Sequence, residues 1–170
     1  MKFILKIATA LCLPAFILSG CRKEEKYPAE PVITFSGVTV YKTIDTLLGN
    51  EIVQMNIRIL FTDGDGDIGL TDADTVPPFD PGSPYYYNLV TTCYEKKNGS
   101  YSEVPEPASF RNYRIPVLPV PANKHGIKGE IQVKKDLYSV TSNPIKYDIY
   151  IYDRSLHKSN VISTTDITVQ

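Results

Sequence analysis

The chain has 170 residues, with 18 Lys and Arg against 19 Asp and Glu and a formal net charge of −1. A nearly neutral chain of this length holds one ordinary domain and lacks the concentrated positive charge that a nucleic-acid partner requires. Its three cysteines are too few for a disulfide framework.

The chain opens MKFILKIATALCLPAFILSGC. Lys2 and Lys6 accompany an apolar run from Ile7 to Leu18. That has the length and polarity of a secretory signal peptide and is too short for a helix crossing a hydrocarbon core of about 30 Å. The run ends in Leu18-Ser19-Gly20-Cys21, which resembles the lipobox of bacterial lipoproteins: a leucine, two small residues and an obligatory cysteine. The resemblance implies that residues 1–20 are cut away. It also implies that the Cys21 thiol takes a diacylglycerol and that the new amino terminus is acylated, with chains such as palmitate. Two or more chains anchor a protein stably, at about 0.8 kcal/mol per buried methylene, so the membrane is the expected partner.

Arg22-Lys23-Glu24-Glu25-Lys26 and Tyr27-Pro28-Ala29-Glu30-Pro31 follow. They are too polar to bury a core, so residues 21–30 are expected to form a solvated tether. Lys23-Glu24-Glu25 is similar to the surface-export signal of Bacteroidota lipoproteins. It implies an outer-membrane protein facing the cell exterior; without that signal the protein faces the periplasm. Without residues 1–20, 16 basic side chains face 19 acidic ones, a net charge of −3. Cys12 leaves with the signal and Cys21 carries lipid, which leaves Cys93 alone as an expected buried thiol.

The remaining residues, 31–170, show period-two alternation and no sustained helical period. In EIVQMNIRILF, Val53, Met55, Ile57, Ile59 and Phe61 share one face; in PIKYDIYIYD, Ile145, Tyr147, Ile149 and Ile151 do. Ile131 and Val133 alternate with Glu130, Gln132 and Lys134. Further strands are expected around Ile33–Tyr41, Tyr86–Lys96, Ser100–Val104, Tyr113–Val117 and Val161–Val169. Asn98-Gly99 suits a type I′ turn and predicts a hairpin between Tyr94–Lys97 and Ser100–Glu103. The expected fold is all-β, an immunoglobulin-like β-sandwich of about 7–8 antiparallel strands. The closing YDIYIYDRSLHKSNVISTTDITV resembles the last hairpin of immunoglobulin-like and fibronectin type III-like domains, in which a strand ending in Asp leads through a polar turn into the final strand.

The strongest chemical feature is FTDGDGDIG, which spaces Asp63, Asp65 and Asp67 two residues apart. Asp72, Asp74 and Asp80 follow, and no Lys or Arg occurs from Ile59 through Tyr94. Hard cations such as Ca²⁺ take six to eight oxygen ligands, and intervening glycines let alternate carboxylates converge. This reading names Asp63, Asp65 and Asp67 as first ligands and Asp72 and Asp74 as second. The alternative is a tight strand-to-strand corner, in which Asp and Gly are common turn formers and Ile68 and Leu70 return to the core. The spacing matches the start of an EF-hand loop. It departs where Ile68 replaces the turn glycine and Asp74 the final glutamate, and no helices flank it. The segment also resembles Asp-Gly-Asp stretches in extracellular immunoglobulin-like and cadherin-like repeats, some of which bind Ca²⁺. FxDGDGDIG is likewise similar to a motif of Bacteroidota lipoproteins of about this length.

The loop TDADTVPPFDPGSPYYY ends in Tyr85, Tyr86 and Tyr87, residues that either stack on sugar rings or simply suit half-buried strands. No HExxH, GxSxG or paired His/Cys set occurs, and His125 and His157 sit in loop-like contexts. The expectation is therefore a non-enzymatic, membrane-anchored lipoprotein of the cell envelope. It would serve as a binding or accessory structural module stabilised by Ca²⁺ if the acidic loop holds an ion, with an envelope protein as a possible partner class. The alternative expectation is a glycan-binding component of a surface polysaccharide uptake system.

Overall fold

The computed structural model describes residues 26–120, 126–137 and 143–168. The signal peptide, Cys21, the Lys23-Glu24-Glu25 tract and His125 lie outside the described residues. Among those described, the chain forms β1 (Val32–Ile44), β2 (Glu51–Asp63), β3 (Leu89–Lys97), β4 (Ser100–Glu103), a single helical turn α1 (Ala108–Arg111), β5 (Ile127–Leu137), β6 (Ile145–Ile151) and β7 (Ile162–Ser163). All pairings between these strands are antiparallel, and they build a β-sandwich with sheet orders β1-β2-β5 and β4-β3-β6-β7. In constant-type immunoglobulin domains the fourth strand joins the first sheet; here it stays beside the third.

The alternation in β2 and β6 decides which face turns inward. Met55, Ile57 and Ile59 are buried from one sheet, and Tyr147, Ile149 and Ile151 from the other. Leu89, Cys93, Val133 and Ile167 belong to the same cluster. Each fully buried aliphatic side chain contributes about 1.5–3 kcal/mol relative to its exposed state. Cys93 is a free, buried thiol. The β3–β4 hairpin pairs Lys97 with Ser100 across Asn98 and Gly99. Their φ values of 53° and 82° are the two left-handed residues that a type I′ turn demands.

Two expected strands are reduced, for one physical reason: side chains take over bonds that a ladder would supply. Tyr113–Val117 forms only isolated bridges, Leu89 with Tyr113 and Leu70 with Pro116. Asn88 holds Ile115 at both ends, accepting its N–H at 2.6 Å and donating to its carbonyl at 3.3 Å. Pro116 has no N–H to offer a ladder. At the last strand Thr164 Oγ1 accepts the Tyr147 N–H at 3.0 Å. This confines β7 to Ile162–Ser163, with a further bridge at Ile167. The α1 turn was not expected from the sequence.

The registers place the critical corner. Val32 pairs with Thr62, Asp63 with Ile127, and Leu89 with Ile151. The starts of β1, β3 and β5 and the ends of β2 and β6 therefore meet at one end of the sandwich. The chain enters the domain at that end, with Pro31 buried and Ile33 1% exposed. Among the described residues no helix is long and apolar enough to cross a membrane.

Candidate metal centre

Asp63 is the last residue of β2, and its inward alternation carries it to the end of the core, 0% exposed. Asp65 is exposed and Asp67 half-buried on the loop that follows. Across the sandwich, Asp153 lies just past β6 and is 2% exposed. Asp63, Asp65, Asp67 and Asp153 each offer a carboxylate oxygen, and these atoms all lie within 4.8 Å of one another. Asp65 and Asp153 form a second such group with His157.

Glycine makes the convergence possible at two positions. A Cβ on Gly64 would collide with the backbone carbonyls of Tyr27 and Pro28, and Gly66 has φ 76°, a left-handed conformation that favours glycine. Ile68 and Leu70 return to the core at 1% and 4% exposure. The segment is thus a strand-to-strand corner and a cluster of carboxylates at once.

The hydrogen bonds separate oxygens that hold structure from oxygens left over. Asp67 Oδ2 accepts the N–H of Ser155 at 3.0 Å and its hydroxyl at 2.7 Å, while Asp67 Oδ1 is buried without a partner among the described residues. Asp153 Oδ1 accepts the His157 N–H at 2.7 Å, and its Oδ2 lies 2.8 Å from His157 Nδ1. Both oxygens of Asp63 are buried and, while the carboxyl is ionised, meet no hydrogen-bond donor among the described residues. Unpaired buried carboxylates are costly, and at an effective dielectric of about 20 each pair of charges about 5 Å apart repels by about 3 kcal/mol.

Something positive must offset that repulsion, and a proton is one candidate. Burial first, then the charge and hydrogen bond of Asp65, and then the charges of Asp67 and Asp153, push the Asp63 carboxyl from 3.8 up to about 7. Once protonated, Asp63 can donate to Asp65. Burial also raises Asp153, against the lowering effect of its bonds from His157. The hydrogen bond and charge of Asp153 raise His157. A divalent cation is the other candidate. The site is rich in carboxylate oxygen, the donor set of Ca²⁺ rather than of soft metals.

Asp72 and Asp74, the second-choice ligands, are absent from both groups of converging acids. Asp72 is exposed. Asp74 forms a two-pronged pair with Arg154, at 2.7 and 3.0 Å, and accepts the Thr71 N–H at 2.7 Å. These bonds hold its carboxyl well below the usual carboxylate range. Arg114 reaches the carbonyls of Tyr86, Thr71 and Asp74 at 2.6, 2.9 and 3.1 Å. The long loop after β2 is therefore tied down by two arginines from distant segments.

Tyr85, Tyr86 and Tyr87 are all half-buried. Tyr85 meets the Tyr152 ring edge-on at 5.0 Å, Tyr86 meets Tyr87 at 4.9 Å, and the Arg114 guanidinium lies 4.7 Å from the Tyr86 ring centre. All three rings thus have partners within the chain.

The members of the converging groups that sequence reasoning missed are Asp153 and His157. The signal was present, because a strand ending in Asp at the closing hairpin was visible. What places that residue opposite Asp63 is the packing of the two sheets, which brings the end of β6 against the end of β2. Comparison with known protein families, curated proteins and solved structures finds no match for the chain.

Proposed function

We propose that the chain is a non-enzymatic, lipid-anchored module of the bacterial cell envelope, binding or accessory in role, whose acidic corner takes up Ca²⁺ as a stabilising ion. The observation that carries the reading is Asp63, a carboxylate 0% exposed whose two oxygens have no donor among the described residues and which faces three further acids. A cation at that point joins the loop after β2 to the turn after β6 and offsets the repulsion between them. The acids converge as ligands on one point and are not set apart as an acid and a base, which favours a structural ion over chemistry. The anchor rests on Leu18-Ser19-Gly20-Cys21 and on the place where the chain enters the fold, a few residues after Cys21.

Melting the full chain with Ca²⁺ and with EDTA tests the ion. The midpoint should rise with Ca²⁺ in the wild type and stay fixed in Asp65→Asn. An unchanged wild-type curve returns the loop to a plain corner. For the anchor, Cys21→Ala should move the protein from the membrane fraction to the soluble one, and retention in the membrane contradicts lipidation.

A further inference from the structure

The two loops that carry the acids are also the two surfaces that hold the first described residues of the domain. Gly64, between Asp63 and Asp65, donates its N–H to the Pro28 carbonyl at 2.7 Å. The chain lies so close there that no side chain fits at Gly64. On the other side Asn160, in the connection from β6 to β7, grips Ile33 at both ends. Its Oδ1 accepts the Ile33 N–H at 2.9 Å and its Nδ2 donates to the Ile33 carbonyl at 2.9 Å. That connection begins at Asp153. Tyr27 lies against the start of β5, where a Cβ on Gly126 would come within 3.1 Å of its ring and 2.9 Å of the Asp63 carbonyl.

We infer that the cation acts as a latch on the N-terminal segment, so that filling the acidic corner fixes residues 27–33 to the sandwich and emptying it frees them. The inference rests on the calcium reading above. Without a positive charge, repulsion between Asp63, Asp65 and Asp67 on one loop and Asp153 on the other strains apart the two walls that clasp the segment. With an ion shared between them, the walls close on Pro28 and Ile33. Linkage makes the effect reciprocal: if the ion tightens the segment by some factor, loosening the segment weakens the ion by the same factor. In a lipid-anchored protein this coupling sets how firmly the domain is held to its tether, because six residues from Cys21 to Tyr27 reach at most about 20 Å.

Amide exchange on the full chain, with Ca²⁺ and with EDTA, reads the latch at Gly64 and Ile33, whose N–H groups bond across the seam. If opening the seam requires release of the ion, Ca²⁺ at a hundred times its dissociation constant should slow both amides by up to about a hundredfold, and by no less than about tenfold. Asn160→Ala loosens the segment without altering an acid or the loop that carries Asp63, Asp65 and Asp67, and it should weaken Ca²⁺ several-fold. If Ca²⁺ binds but neither amide slows, the latch is wrong and the cation site stands. Unchanged Ca²⁺ affinity in Asn160→Ala overturns the latch equally. If calorimetry detects no Ca²⁺ binding, the cation site falls and takes the latch with it.

Discussion

Asp63→Asn puts the electrostatics of the corner to a quantitative test, because it keeps the side-chain shape and removes the charge. In the unfolded chain this carboxyl loses its proton near 3.8, whereas in the fold it keeps it until about 7. Between those values the native state binds more protons than the unfolded state, so the metal-free domain loses stability as pH rises. At about 1.4 kcal/mol per pH unit the whole interval amounts to about 4 kcal/mol, an upper bound because the proton is shared with Asp65. At pH 8 in EDTA the asparagine escapes this penalty but still buries an amide without ready partners, a cost of about 1–3 kcal/mol. The net gain should be about 2 kcal/mol, or a rise of about 4–8 °C in melting temperature. At pH 4.5 the wild-type residue is already neutral in the fold, so the variant should gain nothing and melt at or below the wild type. Thermal melts of both proteins in EDTA at the two pH values decide the matter. A variant less stable than wild type at pH 8, or the same difference at both, would refute the reasoning.

Since a proton and Ca²⁺ compete for Asp63, the stabilisation by a fixed Ca²⁺ concentration should shrink as pH falls below 7, with apparent affinity dropping about tenfold per pH unit where one proton is displaced; titrations at pH 8 and 5.5 measure this. Asp74→Ala should lower the melting temperature slightly through loss of the two-pronged Arg154 pair yet leave the Ca²⁺-induced rise in melting temperature intact. Asp72→Asn should change neither, and a lost calcium response in either variant would place that acid among the ligands. Asn160→Ala leaves both the N–H and the carbonyl of Ile33 unpaired and should lower stability by about 1–3 kcal/mol, seen as a smaller unfolding free energy in urea.

The sandwich was legible wherever a local pattern dictates it. The period-two faces of β2 and β6 turn inward as read, and Asn98-Gly99 marks its hairpin because that turn admits few other pairs. Tyr113–Val117 looked equally strand-like, but Asn88 and Pro116 remove its ladder, and neither effect appears in an alternation pattern. For the acidic corner, the spacing of Asp63, Asp65 and Asp67 revealed the part contributed by one loop. Asp153 belongs to another strand end, and Ser155, which steadies Asp67, stands 88 positions away from it. Asp74 looked like a ligand because no cation stands near it in sequence. In the fold Arg154 lies beside it, from the same turn that supplies Asp153. Local spacing thus found the acids, and only the packing of the two sheets sorts those that converge from those that are paired.

Calorimetric titration of Ca²⁺ into the metal-free full chain at pH 7.5, beside Asp63→Asn, tests the central claim most directly. The account predicts one saturable site per chain in the wild type and none in the variant. A flat wild-type trace, or equal binding in both proteins, would contradict it.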